Sequence, residues 1–190
     1  MTKEYNNWYW RLYRWFKWEF PYLHINIYKG IKNLIKWAPI IWKDRDWDYS
    51  FTFKILKFKI ENIKQLFEEN QKFEGYERNV ELMNVCIKLL DNISNDVYGD
   101  EYMDYYESEL LTEYNENGTH SINFKTVEDR TDEYIDKYPH AKRVLFTDPR
   151  WERCRDNQTG KCLAVGQIRH EKAIKLLFRI LEEKIEGWWQ

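Results

Sequence analysis

The amino-acid sequence predicts a mainly α fold, a helical bundle with an aromatic-rich N-terminal helical segment. Two apolar stripes and one compositional excess predict it. Val80, Met83, Ile87, Leu90, Ile93 and Val97 recur at steps of three and four residues, as one face of a helix requires. Ile168, Ala173, Ile174, Leu177, Leu181 and Ile185 form a second, wider stripe. The excess is tryptophan: ten in 190 residues, with aromatics at 18% of the chain. Rings at that density serve more than a core, because interfaces and base-stacking sites draw on them too.

Taken in order, residues 1–40 form an aromatic, basic segment expected to make an oligomer contact, and residues 41–190 a helical domain. Trp8, Tyr9, Trp10, Tyr13, Trp15, Phe16, Trp18 and Phe20 are too dense for one helical face. Residues 1–43 hold eight lysines or arginines against two glutamates. A segment of this kind can lie on a membrane surface. Exposed apolar patches more often mark protein partners, so a homo-oligomer is expected and a membrane partner is not. Pro21 ends the ring-dense stretch. Ile25, Tyr28, Ile31, Ile35 and Trp37 mark a short amphipathic helix that Pro39 should stop.

Phe51, Ile55, Phe58, Ile63 and Leu66 predict a helix near 48–70, Gly75 a break, and the first stripe a helix near 78–98. Residues 91–116 hold nine acids and no lysine or arginine, which reads as a solvated acidic face, helical around 103–114. Residues 115–118 read as a turn, and 127–138 as a helix ended by Pro139. Residues 147–155 read as a cationic loop, with Gly160 and Gly166 bounding a flexible stretch. The second stripe predicts a helix near 166–186, and the terminal Trp188 and Trp189 offer a second candidate interface.

Composition excludes several functions. The balance of 30 basic against 32 acidic residues does not suit a general polyanion binder, and the acidic face interrupts the basic track that duplex nucleic acid needs. Cys86, Cys154 and Cys162 are an odd set without a secretory leader pattern, and no apolar run is long enough to span a bilayer. A cytoplasmic protein is expected. Cys154, Cys162 and His170 lack the short cysteine pairs of structural zinc sites, so no metal is assigned. Neither a phosphate loop, a nucleophile elbow nor a zinc-deaminase signature is present. No catalytic residue or cofactor is assigned, and an enzyme ranks last among the readings.

Chemistry concentrates in residues 42–49, where Trp42, Lys43, Asp44, Arg45, Asp46, Trp47, Asp48 and Tyr49 follow one another. Asp46 or Asp48 can cap the helix that follows. A calcium loop is excluded, because Tyr49 and Ile55 stand where that loop needs glycine and glutamate. A ligand site stays open beside the cap. There Arg45 would pair with a phosphate or carboxylate and Trp47 or Trp42 would stack on a flat ring. Arg169 and His170 are expected in the first turns of the last helix, where the dipole and the unpaired N–H groups favour an anion.

The block 42–49, the long helix after it, and the ending Arg169-His170-Glu171-Lys172-Ala173 through Leu177-Phe178 to Gly187-Trp188-Trp189 resemble a family of small helical proteins from tailed phages. Such proteins are associated with anti-CBASS sponges, which sequester the cyclic oligonucleotide signals of bacterial defence. The resemblance implies non-catalytic capture of a cyclic dinucleotide or trinucleotide in the host cytoplasm. It supplies no ligand-contact list. Trp42, Arg45, Trp47, Arg169 and His170 are the expected ligand-binding set, since rings suit bases and cations suit phosphates. Two alternatives stand behind this. One is a phage accessory protein acting through protein–protein contacts. The other is a metal-dependent nucleotide hydrolase using Asp44, Asp46 or Asp48.

Overall fold

A computed structural model describes residues 8–43, 48–70, 75–114 and 120–189. The chain divides into two units, Met1–Asp48 and Tyr49–Gln190. The fold is mainly α, as the apolar periodicity predicts.

The first unit holds α1 (Trp8–Arg14), a five-residue π turn (Trp15–Glu19), a 3-10 turn (Phe20–Tyr22) and α2 (Leu23–Ile41). None of these elements contains a buried residue. Pro39 does not stop α2; the helix runs two residues past it. Proline removes the bond its own N–H would make to the preceding turn, but it leaves the N–H groups that follow free to bond. The end is closed instead by Trp42 N–H donating to Ala38 O at 2.9 Å and Lys43 N–H to Ile40 O at 3.1 Å.

The second unit opens on an antiparallel pair, α3 (Ser50–Asn70) and α4 (Tyr76–Ser94). Lys57, early in α3, bonds Asp91, late in α4, at 2.6 Å, which fixes the direction. The short α5 (Val97–Asp100) and a 3-10 turn (Glu101–Tyr105) follow. Next comes a hairpin, β1 (Tyr106–Tyr114) with β2 (His120–Asp129), paired from Tyr106 opposite Asp129 to Tyr114 opposite His120. Then come α6 (Thr131–Lys137), α7 (Pro139–Thr147), a 3-10 stretch (Pro149–Arg155), α8 (Gln158–Lys184) and a last 3-10 turn (Glu186–Trp189).

Four expectations are corrected here. The acidic stretch 103–114 is a 3-10 turn and a strand rather than a helix. Glu107, Glu109 and Glu113 fall at odd positions and Tyr106, Ser108, Thr112 and Tyr114 at even ones, the two-residue period of a strand. Residues 127–138 split between strand and helix, and Pro139 starts α7 instead of ending its predecessor. Proline suits a first helical position because its missing N–H would have been unpaired there. Residues 147–155 are not a loop but largely the 3-10 stretch, capped by Asp148 accepting from Arg150 N–H at 3.0 Å. Gly160 and Gly166 bound no flexible stretch, since both lie inside α8. Gly166 marks a close approach: a Cβ there would strike the Tyr98 carbonyl oxygen. The expected turn at 115–118 lies outside the described residues.

Two cores share α8, which at 27 residues is roughly 40 Å long. Its first half packs Cys162, Val165 and Ile168 with Tyr134, Ile135, Ala141 and Leu145. Its second half packs Ala173, Leu177 and Leu181 with Ile60, Phe67, Met83, Leu90 and Trp188. Trp188 is therefore core rather than oligomer surface, at 3% exposure. No helix among the described residues is long and apolar enough to cross a membrane.

Candidate functional site

The joint between the two cores is polar, and Arg169 sits in it. Arg169 does not open a helix. It lies about three turns inside α8, because the helix begins at Gln158, where Asn157 caps it by accepting from Gly160 N–H at 2.6 Å. The helix-dipole basis for an anion at Arg169 and His170 is thereby removed.

What holds Arg169 is a built cluster. Its guanidinium meets Glu101 at 2.6 Å, with both side chains only 16% exposed. It donates to the Tyr134 hydroxyl at 3.2 Å and lies 3.6 Å from the centre of the Tyr138 ring. Lys137 reaches the other oxygen of Glu101 at 2.7 Å and the Tyr105 hydroxyl at 3.1 Å. The Tyr138 hydroxyl also donates to Glu101. One carboxylate thus takes three donors, each from a different place: Arg169 from α8, Lys137 from the end of α6, and Tyr138 from the link between α6 and α7. Charge-assisted bonds of this kind are the strong ones.

The titration shifts follow from the contacts. Burial works to raise the Glu101 carboxyl, but the hydrogen bonds from Lys137, Tyr138 and Arg169 outweigh it and hold the group below the ordinary carboxylate range. Lys137 is raised, first by its hydrogen bond to Glu101 and then by Tyr105 and Tyr138. Burial pushes the Tyr134 and Tyr138 hydroxyls up. Burial likewise lifts the Cys86 and Cys162 thiols to about 11, so both are protonated packing groups rather than nucleophiles.

Beside this cluster a cleft of about 160 Å³ opens among Lys137, Tyr138, His140, Ile168, Arg169 and Lys172. Its lining holds three cations and a phenol ring but no carboxylate. Lys137 and Arg169 are already paired with Glu101. Lys172 and His140 are exposed and have no ion pair among the described residues. No family model, curated protein or solved structure matches this chain.

Of the expected ligand residues, Arg45 and Trp47 lie outside the described residues. Trp42 ends α2 in the first unit and is 87% exposed. His170 is half-buried, its ring 6.1 Å from Tyr98. Arg169 borders the cleft but is engaged by Glu101. The cationic 3-10 stretch is also largely occupied. Arg150 binds Asp148 at 2.8 Å, and Arg155 donates to the carbonyls of Leu145 and Asp148 at 2.8 and 2.9 Å. Sequence reasoning missed Lys137, Tyr138 and His140. Their signal was the Lys-Tyr-Pro-His run at a helix boundary, and nothing in one sequence ties it to Lys172 on another helix. Among the described residues no group of three histidines, cysteines or acids is placed to hold a metal ion.

Proposed function

We propose that the chain is a non-catalytic binding protein for a cyclic oligonucleotide signal, a sponge of the anti-CBASS kind encoded by a phage. The observation that carries this reading is the acid-free cleft in which Lys172 and His140 stand beside the Tyr138 ring. Cations suit phosphate oxygens, and an aromatic face suits a base. The cleft volume limits what enters. Whole small ligands occupy clefts of roughly 300–1,000 Å³, so about 160 Å³ takes a phosphoryl group and the edge of one ring. The remainder of the nucleotide lies outside the cleft.

Calorimetry with a panel of cyclic di- and trinucleotides tests the reading. Lys172→Ala is the informative variant. An exposed lysine contributes less than a buried ion pair, so its loss weakens binding about five- to tenfold. Arg169 is a poor probe, because removing it also takes one of the three donors from Glu101. Nucleotide recovered intact after heat-denaturing the complex supports sequestration, and altered nucleotide indicates a hydrolase. A wild-type chain that binds no member of the panel overturns the reading.

A further inference from the structure

The N-terminal segment carries a surface that the cleft does not use. At the 100° step of a helix, Leu23, Ile27, Ile31, Leu34, Ala38 and Ile41 of α2 fall within roughly 80° of one another, and Ile35 and Tyr28 extend the stripe. Lys29, Lys32, Lys36, Asn26 and Asn33 occupy the opposite side, with Ile25 and Ile40 among them. The helix is about 28 Å long by its 19 residues. Ile31 is 52% exposed, Leu34 70% and Ile35 70%, so an apolar face of that length is turned outward. A single exposed leucine needs no explanation, but a continuous stripe does.

We infer that this segment lies on an anionic lipid surface, with the apolar stripe of α2 in the headgroup–acyl boundary. Charge decides for lipid over a second copy of the chain. Residues 20–43 contain four lysines and no aspartate or glutamate. A second copy brings a segment of the same net charge, whereas an anionic lipid surface brings the opposite one. Residues 1–48 hold nine basic and five acidic residues, which leaves 21 basic and 27 acidic for the folded unit. An anionic surface therefore attracts the segment and repels the folded unit. Ring chemistry points the same way. Trp8, Trp10, Trp18 and Trp42 are all more than half exposed, and indole favours the boundary between headgroups and tails. Arg11, Arg14 and Lys17 are interleaved with the rings, as side chains that lay their stems on apolar surface and keep their charge in water. A large amphipathic contrast with modest overall hydrophobicity is the signature of a helix that lies in an interface rather than crossing it.

The test is flotation of the full-length chain with phosphatidylcholine vesicles, with and without phosphatidylglycerol. The chain should float with the mixed vesicles, remain largely behind with the neutral ones, and be released by salt. Ile31→Glu with Leu34→Glu should abolish flotation while the thermal transition of the folded unit stays in place. Lys29→Ala and Lys32→Ala should each weaken partitioning about fivefold. Absence of flotation with mixed vesicles, or flotation that the glutamates leave unchanged, overturns the inference. Light scattering reads the remaining outcome: an assembly that the same glutamates dissolve, in a chain that does not float, assigns the stripe to a second copy and overturns the lipid assignment.

Discussion

In the folded unit Leu90, Leu145 and Leu177 are fully buried, while in the N-terminal segment Leu34 is 70% exposed and Trp8 72%. The residue types are alike, and the difference is in what faces them. Each stripe in the folded unit meets another element: α3 meets α4, and α8 meets both the α3–α4 pair and the α6–α7 pair. The helix α2 contains no buried residue. Hydrophobic burial stabilises at about 25 cal/mol per Å² of area removed from water. Periodicity therefore makes a helix core only where a complementary face exists. Without one, the same pattern stays at the surface.

The sharpest break in that comparison is a core truncation. Leu177→Ala empties a fully buried position and should cost about 3–4 kcal/mol in urea unfolding. A value under about 1 kcal/mol would mean that α8 is not the shared wall of the core.

The polar joint should respond next. Glu101→Gln leaves Arg169 and Lys137 without their counter-charge and should cost about 2 kcal/mol at neutral pH. That is below the roughly 3–5 kcal/mol of a fully buried pair, because Glu101 and Arg169 each stay 16% exposed. The pH dependence carries the sign. Glu101 has a folded pKa below its unfolded one, so its contribution is complete above the ordinary glutamate range and is lost as pH falls through the lowered value. Lys137 is raised, so its contribution is complete below the ordinary lysine range and is lost only as pH rises through the raised value. Melting temperature against pH should therefore fall on the acid side in the wild type, and Glu101→Gln should flatten that limb. An unchanged limb would assign the acid sensitivity to other carboxylates.

Trp188→Phe should cost about 1 kcal/mol, a packing loss only. The indole N–H of Trp188 is buried with no partner among the described residues, so removing it forfeits no bond. A loss beyond about 3 kcal/mol would reveal a partner for that N–H.

The smallest effect should come from the first unit. Leu34→Ala, chemically the same change as Leu177→Ala, should move the chemical denaturation midpoint by less than about 0.5 kcal/mol in energy terms. A large shift would place the α2 stripe in a core after all.

The sequence by itself determined the helical class, the span of α3 and α4, and the ring-dense start. These are written in local patterns: apolar residues at three- and four-residue steps along α4, and rings crowded between Trp8 and Phe20. It also contained the hairpin, as alternating residues between 106 and 114, but the run of acids masked that two-residue period. The tertiary structure alone decided the rest. Trp188 is core because α8 turns it back onto α3 and α4, and the one-dimensional pattern of a terminal Gly-Trp-Trp does not contain that direction. Arg169 is engaged by Glu101 because α8 begins eight residues before the apolar stripe announces it, which carries position 169 from a helix end to the joint between two cores. The cleft joins Lys137, Tyr138 and His140 to Lys172, residues more than thirty positions apart. Side chains that far apart in the chain meet only when packing pays the entropy of closing the loop between them, and no local pattern records that closure.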